Sequence, residues 1–188
     1  MIRRITVLVG LLLLLTAAAS AQQHQTQPPA APAKPESTTL PDASRDAIKE
    51  KLRVVLNAYG PKINVEFRQS AQQAYIFSGV MTQGLVNGQS LEVVITVGSQ
   101  QTIHFRIYPH YAGGNINIDK VRNPSSLLRM LLRYSDMNFL YWGADESGDI
   151  FAGYNFTLES GFPEASIRVV LNSIANLDKF VGDIKQVY

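Results

Sequence analysis

Four polar side chains alternate along one short segment and are the first candidates for chemistry: His104, Arg106, Tyr108 and His110. The intervening residues are apolar, and alternate residues of a strand point to the same side, so we expect all four on one polar face of a sheet. Two imidazoles and a guanidinium on an open face can bind a carboxylate or a phosphate. A solvated polar face explains the same pattern, and the sequence leaves both interpretations open.

The two histidines of this segment are not expected to form a metal site. They are six positions apart, or about 20 Å along an extended strand, so they cannot ligate one ion unless the chain bends. The acidic run at residues 145–149 is similar to part of a calcium loop, but the twelfth position from Asp145 is Phe156 and not a bidentate glutamate. We expect a tight hairpin turn there, with no metal and no cofactor.

Sequence patterns of common catalytic centres are absent from the chain. It has no cysteine, and His104 and His110 are its only histidines after the N-terminal region. No serine lies in a Gly-x-Ser-x-Gly elbow, and there is neither a phosphate-binding P-loop nor a Gly-x-Gly-x-x-Gly stretch. We therefore assign no catalytic residue and expect a non-enzymatic protein.

The N-terminal segment is typical of a secretory signal peptide. Arg3 and Arg4 precede an apolar run at residues 5–15, and small residues follow, ending with Ala21. We predict a signal peptide over residues 1–21, cleavage between Ala21 and Gln22, and a periplasmic or secreted mature protein of bacterial type. An uncleaved anchor is the alternative, although the apolar run is shorter than the about 20 residues that a membrane span needs.

Residues 22–42 are rich in proline, alanine and glutamine and predict a disordered spacer, so we place the folded domain at 43–188. The formal net charge of the whole chain is +2, from 17 basic and 15 acidic residues. Loss of Arg3 and Arg4 with the signal peptide leaves 15 of each, and a mature charge of zero. Nucleic acid is therefore not an expected partner.

Hydrophobic periodicity predicts an α+β domain with the order α-β-β-β(-β)-α-β-β-α. A first helix should end at Gly60 and Pro61, and alternating strands should cover residues 63–68, 74–81, 91–97 and 103–107. Asn123 and Pro124 should begin a second, largely buried helix, followed by a hairpin around the acidic turn. A single final helix should begin at Pro163 and Glu164. We expect these helices to pack on one face of an open antiparallel sheet.

The last helix carries an apolar stripe that permits two interpretations. Its members recur every three or four residues: Ile167, Val170, Ile174, Leu177, Val181 and Ile184. Such a stripe packs across the sheet in most terminal helices, but it is also typical of a homodimer seam, which would place Ile174 and Val181 in an interface. Trp142, beside the predicted hairpin, is a further candidate for a protein interface.

The second half of the domain resembles the YbjN family of bacterial sensory-transduction regulators, and the order of elements resembles the type III secretion chaperone-like fold. The matching residues are the leucine-rich helix at 127–133, then Asn138 and Phe139, then the run WGADESGDI from Trp142 to Ile150. The resemblance implies an open antiparallel sheet, frequent dimers and binding to proteins in place of chemistry. This chain differs from chaperone-type relatives, which are acidic and cytoplasmic, in its export signal and zero mature charge.

Together these patterns predict an exported, non-catalytic module that binds protein segments through a sheet edge or a helix-lined groove. The alternative is an envelope small-ligand-binding protein or hydrolase that uses the face from His104 to His110. No segment after the signal peptide is long enough to span a membrane. The identity of the protein partner is not predicted.

Overall fold

The structure is a computed structural model that describes residues 42–188. The predicted signal peptide, the cleavage position at Ala21 and Gln22, and the spacer as far as residue 41 lie outside the described residues. The elements in chain order are α1 (Asp42–Tyr59), β1 (Arg68–Gln69), β2 (Ile76–Met81), β3 (Ser90–Val97), β4 (Thr102–Tyr111), β5 (Gly114–Asn115), α2 (Pro124–Met137), β6 (Tyr141–Ala144), β7 (Ile150–Thr157), α3 (Glu164–Ser173) and α4 (Asp178–Ile184). This is an α+β architecture.

All strand pairs of the sheet are antiparallel, and the strand order is β1-β2-β3-β4-β7-β6, with β5 paired to the end of β4. Strands β3 and β4 form the centre, with Val94 opposite Arg106 and Thr96 opposite His104. On its other side β4 pairs with β7, where Arg106 lies opposite Gly153. The predicted alternation of β3 and β4 is confirmed, because every second residue is buried from Leu91 to Val97 and from Ile103 to Pro109.

One hydrophobic core joins the helices to a single face of the sheet. The inward residues of β3, β4 and β7 share one buried cluster with the buried side chains of α1, α2, α3 and α4. The opposite face carries the alternate residues of β4 and is called the outer face below. None of the helices within residues 42–188 packs on it. The predicted arrangement of an open sheet with helices on one face is therefore observed.

The strand predicted at residues 63–68 is wrong for most of its length. A 3₁₀ turn covers Gly60–Ile63, and Asn64 follows with a φ of 55° in the left-handed region, which ends regular structure. The Val65 N–H donates to the carbonyl of Gly60 at 2.9 Å, so the chain folds back before pairing can begin. Only Arg68–Gln69 joins the sheet, and Val65 is buried without strand pairing.

Helix α2 begins as predicted, since the Asn123 side chain accepts a hydrogen bond from the Ser126 N–H and Pro124 is the first helical residue. The expectation that the helix is largely buried is wrong. Leu127 and Leu131 are buried, but Leu128 is 48% and Leu132 72% exposed, because the core contacts only one side of the helix.

The predicted final helix is two helices, α3 and α4, separated by a 3₁₀ turn at Ile174–Leu177. Despite this break, the whole apolar stripe lies in the core of the same chain, with Ile174 and Val181 both at 0% exposure. The stripe therefore packs against the sheet and is not a surface on which a second copy could dock. Within residues 42–188, none of the helices has the length and apolar character needed to cross a membrane.

Candidate functional site

The structure places His104, Arg106, Tyr108 and His110 on the outer face, as the alternation predicted, but each side chain is engaged within the sheet. The His104 ring lies between two neighbours: Nε2 is 2.8 Å from Thr102 Oγ1, and Nδ1 is 2.8 Å from Asn155 Oδ1. With Nδ1–H donating to the Asn155 amide oxygen, Nε2 accepts from the Thr102 hydroxyl. Both nitrogens are then engaged in hydrogen bonds within the sheet.

Arg106 and Tyr108 belong to an aromatic cluster that the sequence did not reveal. The Arg106 guanidinium lies 4.7 Å from the centre of the Phe151 ring, and the Tyr108 ring centre lies 5.6 Å from it. Tyr141 contacts Phe151 from the other side at 6.1 Å. Phe151 is only 5% exposed although it lies outside the hydrophobic core, so these neighbours cover it on the outer face. The cluster therefore shields an apolar ring on the outer face.

His110 lies at the far end of β4 and does not approach His104, because β4 is continuous from Thr102 to Tyr111. Its Nε2 is 3.4 Å from Glu92 Oε2, close enough for an ion pair if the imidazole is protonated, but the atoms are not aligned as a hydrogen bond. The four predicted residues therefore share a face without forming one site. In the part of the chain that the structure describes, no cluster of three or more metal-ligating side chains is found.

The acidic run is a hairpin turn, as predicted. The Asp145 carboxylate accepts hydrogen bonds from the backbone N–H groups of Ser147 and Asp149, at 2.9 and 3.0 Å. The Asp149 carboxylate in turn accepts from the amides of Asn117 and Asn115, at 2.8 and 2.7 Å. The hydrogen bond from Asn117 is the main reason that the pKa of Asp149 lies below its ordinary value. These carboxylates fold the turn and connect it to β5 and to the segment after it.

Trp142 is buried in the core at 8% exposure, so it is not the exposed interface residue that its position by the hairpin suggested. Its ring packs against Phe180 of α4 at a tilt of 32° with a centre-to-centre distance of 3.9 Å, and it contacts Tyr134 of α2 edge-on at 6.0 Å. The Trp142 backbone N–H, on the side of β6 away from β7, donates to Ser135 Oγ at 2.9 Å. Helix α2 therefore covers this edge of the sheet.

The other edge of the sheet offers little room for strand addition either. Strand β1 has only two residues. The Gln69 side chain is also held at this edge, because its Oε1 accepts from the Arg53 guanidinium at 2.8 Å and its Nε2 donates to the Ala74 carbonyl at 2.8 Å. Beyond β1, residues 65–67 pack so closely along β2 that a Cβ on Gly79 would lie 2.6 Å from the Val65 side chain. Neither edge therefore presents a long row of free backbone groups.

A cleft between α2 and the C-terminal helix is the more promising binding surface. Its volume is about 460 Å³. Its walls come from two elements far apart in sequence: Ser126, Arg129, Met130, Arg133, Tyr134 and Met137 from α2, and Lys179, Asp183, Gln186 and Val187 from α4 and the chain after it. No local pattern in the sequence could bring these two sets together.

A second cleft, of about 650 Å³, continues the first toward the loop between β2 and β3. The two clefts share Tyr134, Met137 and Lys179. The second one adds exposed apolar side chains, with Val86 at 87% and Phe139 at 51% exposure. We call the joined clefts the α2–α4 trough.

The trough is positively charged along its walls. Arg129, Arg133 and Lys179 are exposed, and within residues 42–188 none of them forms an ion pair or a hydrogen bond. The carboxylate that faces them, Asp183, accepts a hydrogen bond from the Tyr134 hydroxyl. The pKa of Tyr134 lies above its ordinary value of 10.0. Burial of the phenol is the main cause, and this hydrogen bond is the second. Tyr134 therefore remains a neutral donor to Asp183 throughout the physiological pH range.

Comparison with known proteins found no matching family model and no match among curated proteins.

Proposed function

We propose that this protein is an exported, non-catalytic binding or regulatory module that holds segments of other proteins in the α2–α4 trough. The observation that carries the proposal is the contrast between its two surfaces. On the outer face, His104 and Arg106 are used in internal contacts, whereas the trough exposes Met137 at 66% together with cations that have no ion-pair partner within residues 42–188. Exposed apolar side chains in a concave, polar-rimmed surface are typical of protein-binding sites.

The helix-lined groove is favoured over the sheet edge as the place of binding. Strand addition needs an edge with free N–H and C=O groups, and here β1 is short while α2 covers β6. A groove between two helices needs no backbone pairing, and it accepts an amphipathic segment through its side chains.

A family relation is part of the proposal. The order of helices and strands and the open antiparallel sheet are what a YbjN-like or type III secretion chaperone-like domain would have, and both support a protein-binding role over an enzymatic one. Export to the periplasm or medium, with cleavage between Ala21 and Gln22, rests on the N-terminal pattern of basic, apolar and small residues. A homodimer, if formed, would use a surface other than the buried stripe of α3 and α4.

Photocrosslinking tests the site of binding. The residue p-benzoylphenylalanine is placed instead of Met137 in the trough, instead of Tyr108 on the outer face, and instead of Val54, an exposed residue of α1, as the control. Irradiation of cells that export the protein should give a discrete crosslinked polypeptide from position 137 alone. Discrete products from position 108 and none from position 137 would contradict the proposal and would favour binding at the outer face.

A further inference from the structure

We infer that the segment held in the α2–α4 trough is an acidic amphipathic helix, with carboxylates on both flanks of an apolar stripe. This inference rests on the proposed function and specifies the chemistry of the partner.

The charge of the two walls selects an acidic partner. Arg129 and Arg133 lie on the α2 wall and Lys179 on the α4 wall, so cations border the trough on both sides. Several cations elsewhere in the domain have carboxylate partners, such as Arg53 with Glu50 at 3.0 Å and Arg68 with Glu66 at 3.0 Å. The trough cations have none within the described chain, and Asp183 is already bonded to Tyr134. Carboxylates of a bound segment would supply the missing partners.

The apolar residues that line the trough suit one face of a helix. Met130 and Met137 lie along α2, Val187 lies on the opposite side, and Phe139 continues the surface into the second cleft. Methionine side chains are flexible and polarisable, so they adapt to different apolar partners. The trough therefore combines an adaptable apolar floor with a charged rim, which is the usual composition of an interface that binds a helix.

The geometry of α2 sets the length and spacing of the partner. The helix has 14 residues, which corresponds to about 21 Å, so it can accompany a partner helix of about four turns. Arg129 and Arg133 are four residues apart and lie on one side of the helix, about one turn from each other. Two carboxylates spaced three or four residues apart on a partner helix would match them, and a third on its opposite flank would match Lys179.

An anionic lipid surface also attracts arginine, lysine and exposed apolar groups. The trough favours a peptide because its cations border a concave surface, whereas a flat bilayer makes contact with protruding side chains. Binding to vesicles of anionic lipid is therefore measured beside peptide binding.

Selection from a random library of peptides of about 16 residues, displayed on phage, tests the inference with the full protein immobilised. Bound pools are compared for three proteins: the unchanged chain, the double variant Arg129→Glu/Arg133→Glu, and the control Lys51→Glu/Lys62→Glu on α1 and the turn after it, which makes the same change in net charge. We expect Asp and Glu to be enriched on both sides of an apolar i, i+3, i+4, i+7 pattern. A synthesised consensus peptide should bind the double variant about tenfold more weakly or worse, and the control equally well.

Each other result has a defined meaning. If selected peptides compete with the crosslink at position 137 but lack acidic residues, the acidic partner is wrong and the trough remains the binding site. If no selected peptide depends on trough residues, the proposed function itself fails. If the protein selects no peptide but binds vesicles of phosphatidylglycerol and loses them in Arg129→Glu/Arg133→Glu, the surface binds lipid and the inference is overturned. Circular dichroism of each variant verifies that it is folded.

Discussion

The Oδ1 atom of Asp178 accepts a hydrogen bond from the backbone N–H of Gly88 at 2.6 Å, joining the start of α4 to the loop between β2 and β3. The other oxygen accepts from the N–H groups of Val86 and Asn87, at 2.8 and 3.0 Å. Asp178 is only 7% exposed, so one buried carboxylate satisfies three consecutive backbone donors that are distant in sequence. Because Val86 and Asn87 line the second cleft, this contact also holds one end of the α2–α4 trough.

Replacing Asp178 with asparagine should destabilise the domain. An amide keeps one acceptor oxygen but loses the charge and the second acceptor, leaving buried N–H groups without a partner. We expect a loss of about 1–3 kcal/mol in the free energy of unfolding, measured by urea denaturation. The control is Glu159→Gln, an exposed carboxylate after β7, which should change little. Equal stability of both variants would show that the loop does not depend on Asp178.

The same carboxylate should make stability depend on acid pH. Burial acts to raise the pKa of Asp178, but the hydrogen bonds from Gly88, Val86 and Asn87 outweigh it and hold the pKa below the ordinary value of 3.8. A pKa lowered by folding contributes stability that is fully present above the unfolded value and lost as pH falls through the folded one. The stability difference between the native chain and Asp178→Asn should therefore be constant at neutral pH and shrink below about pH 3.8. A difference that grows toward acid pH would show the opposite sign of the shift.

Alanine at Ile174 should unfold or strongly weaken the domain and not convert a dimer into a monomer. Ile174 is 0% exposed in the core, and removing such a side chain costs about 2–5 kcal/mol. Val169→Ala on α3 is the control, because Val169 is 56% exposed and its loss should cost less than about 0.5 kcal/mol. Denaturation curves and light scattering are measured together. A fully stable Ile174→Ala protein of half the native mass would instead support the interpretation of the stripe as a dimer seam.

Alanine at His104 should leave binding in the trough unchanged while weakening the sheet slightly. Its ring connects Thr102 of β4 to Asn155 of β7, and removal of these hydrogen bonds should cost about 1 kcal/mol. A double-mutant cycle with Asn155→Ala should give a coupling free energy above about 0.5 kcal/mol, since the two side chains are in contact. If the crosslink at position 137 disappears in His104→Ala although the protein is folded, His104 has a role in binding that the geometry does not explain.

Alanine at Asn123 should weaken α2 and, with it, one wall of the trough. The Asn123 side chain accepts the Ser126 N–H at 3.0 Å, and loss of such a cap costs about 1 kcal/mol. Asn123→Asp retains the acceptor and is expected to keep the native melting temperature approximately. If alanine and aspartate are equally destabilising, the side chain contributes something other than a cap.

Several features of the fold follow from local sequence. The alternation in β3 and β4 could be predicted because a strand has a period of two. Slipping β3 by one residue would expose Val93 and Ile95 and bury Glu92 and Thr96. The Asn123 cap with Pro124 and the acidic hairpin turn could also be predicted from the sequence. Each depends on hydrogen bonds between residues only a few positions apart. The shared face of His104 and His110 is another consequence of the same period.

Other features depended on contacts between distant segments. Residues 63–67 alternate as a strand would, yet the left-handed Asn64 and the 3₁₀ turn before it place Val65 in the core without pairing. Leucines surround much of α2, but which of them are buried depends on the side from which the core approaches. The stripe of α3 and α4 has the period of a dimer seam, and only the sheet beneath it decides that it is core.

Patterns among neighbouring residues were enough to predict the fold class and the polar face of β4, and to reveal an N-terminal export pattern and a lack of familiar catalytic motifs. Contacts between distant segments were needed to show that His104 is engaged by Asn155, that Trp142 is buried and that Arg129 lies across a trough from Lys179. Those partners are dozens of residues apart, and no local rule of spacing connects them. The candidate binding site is therefore a product of packing between α2 and α4.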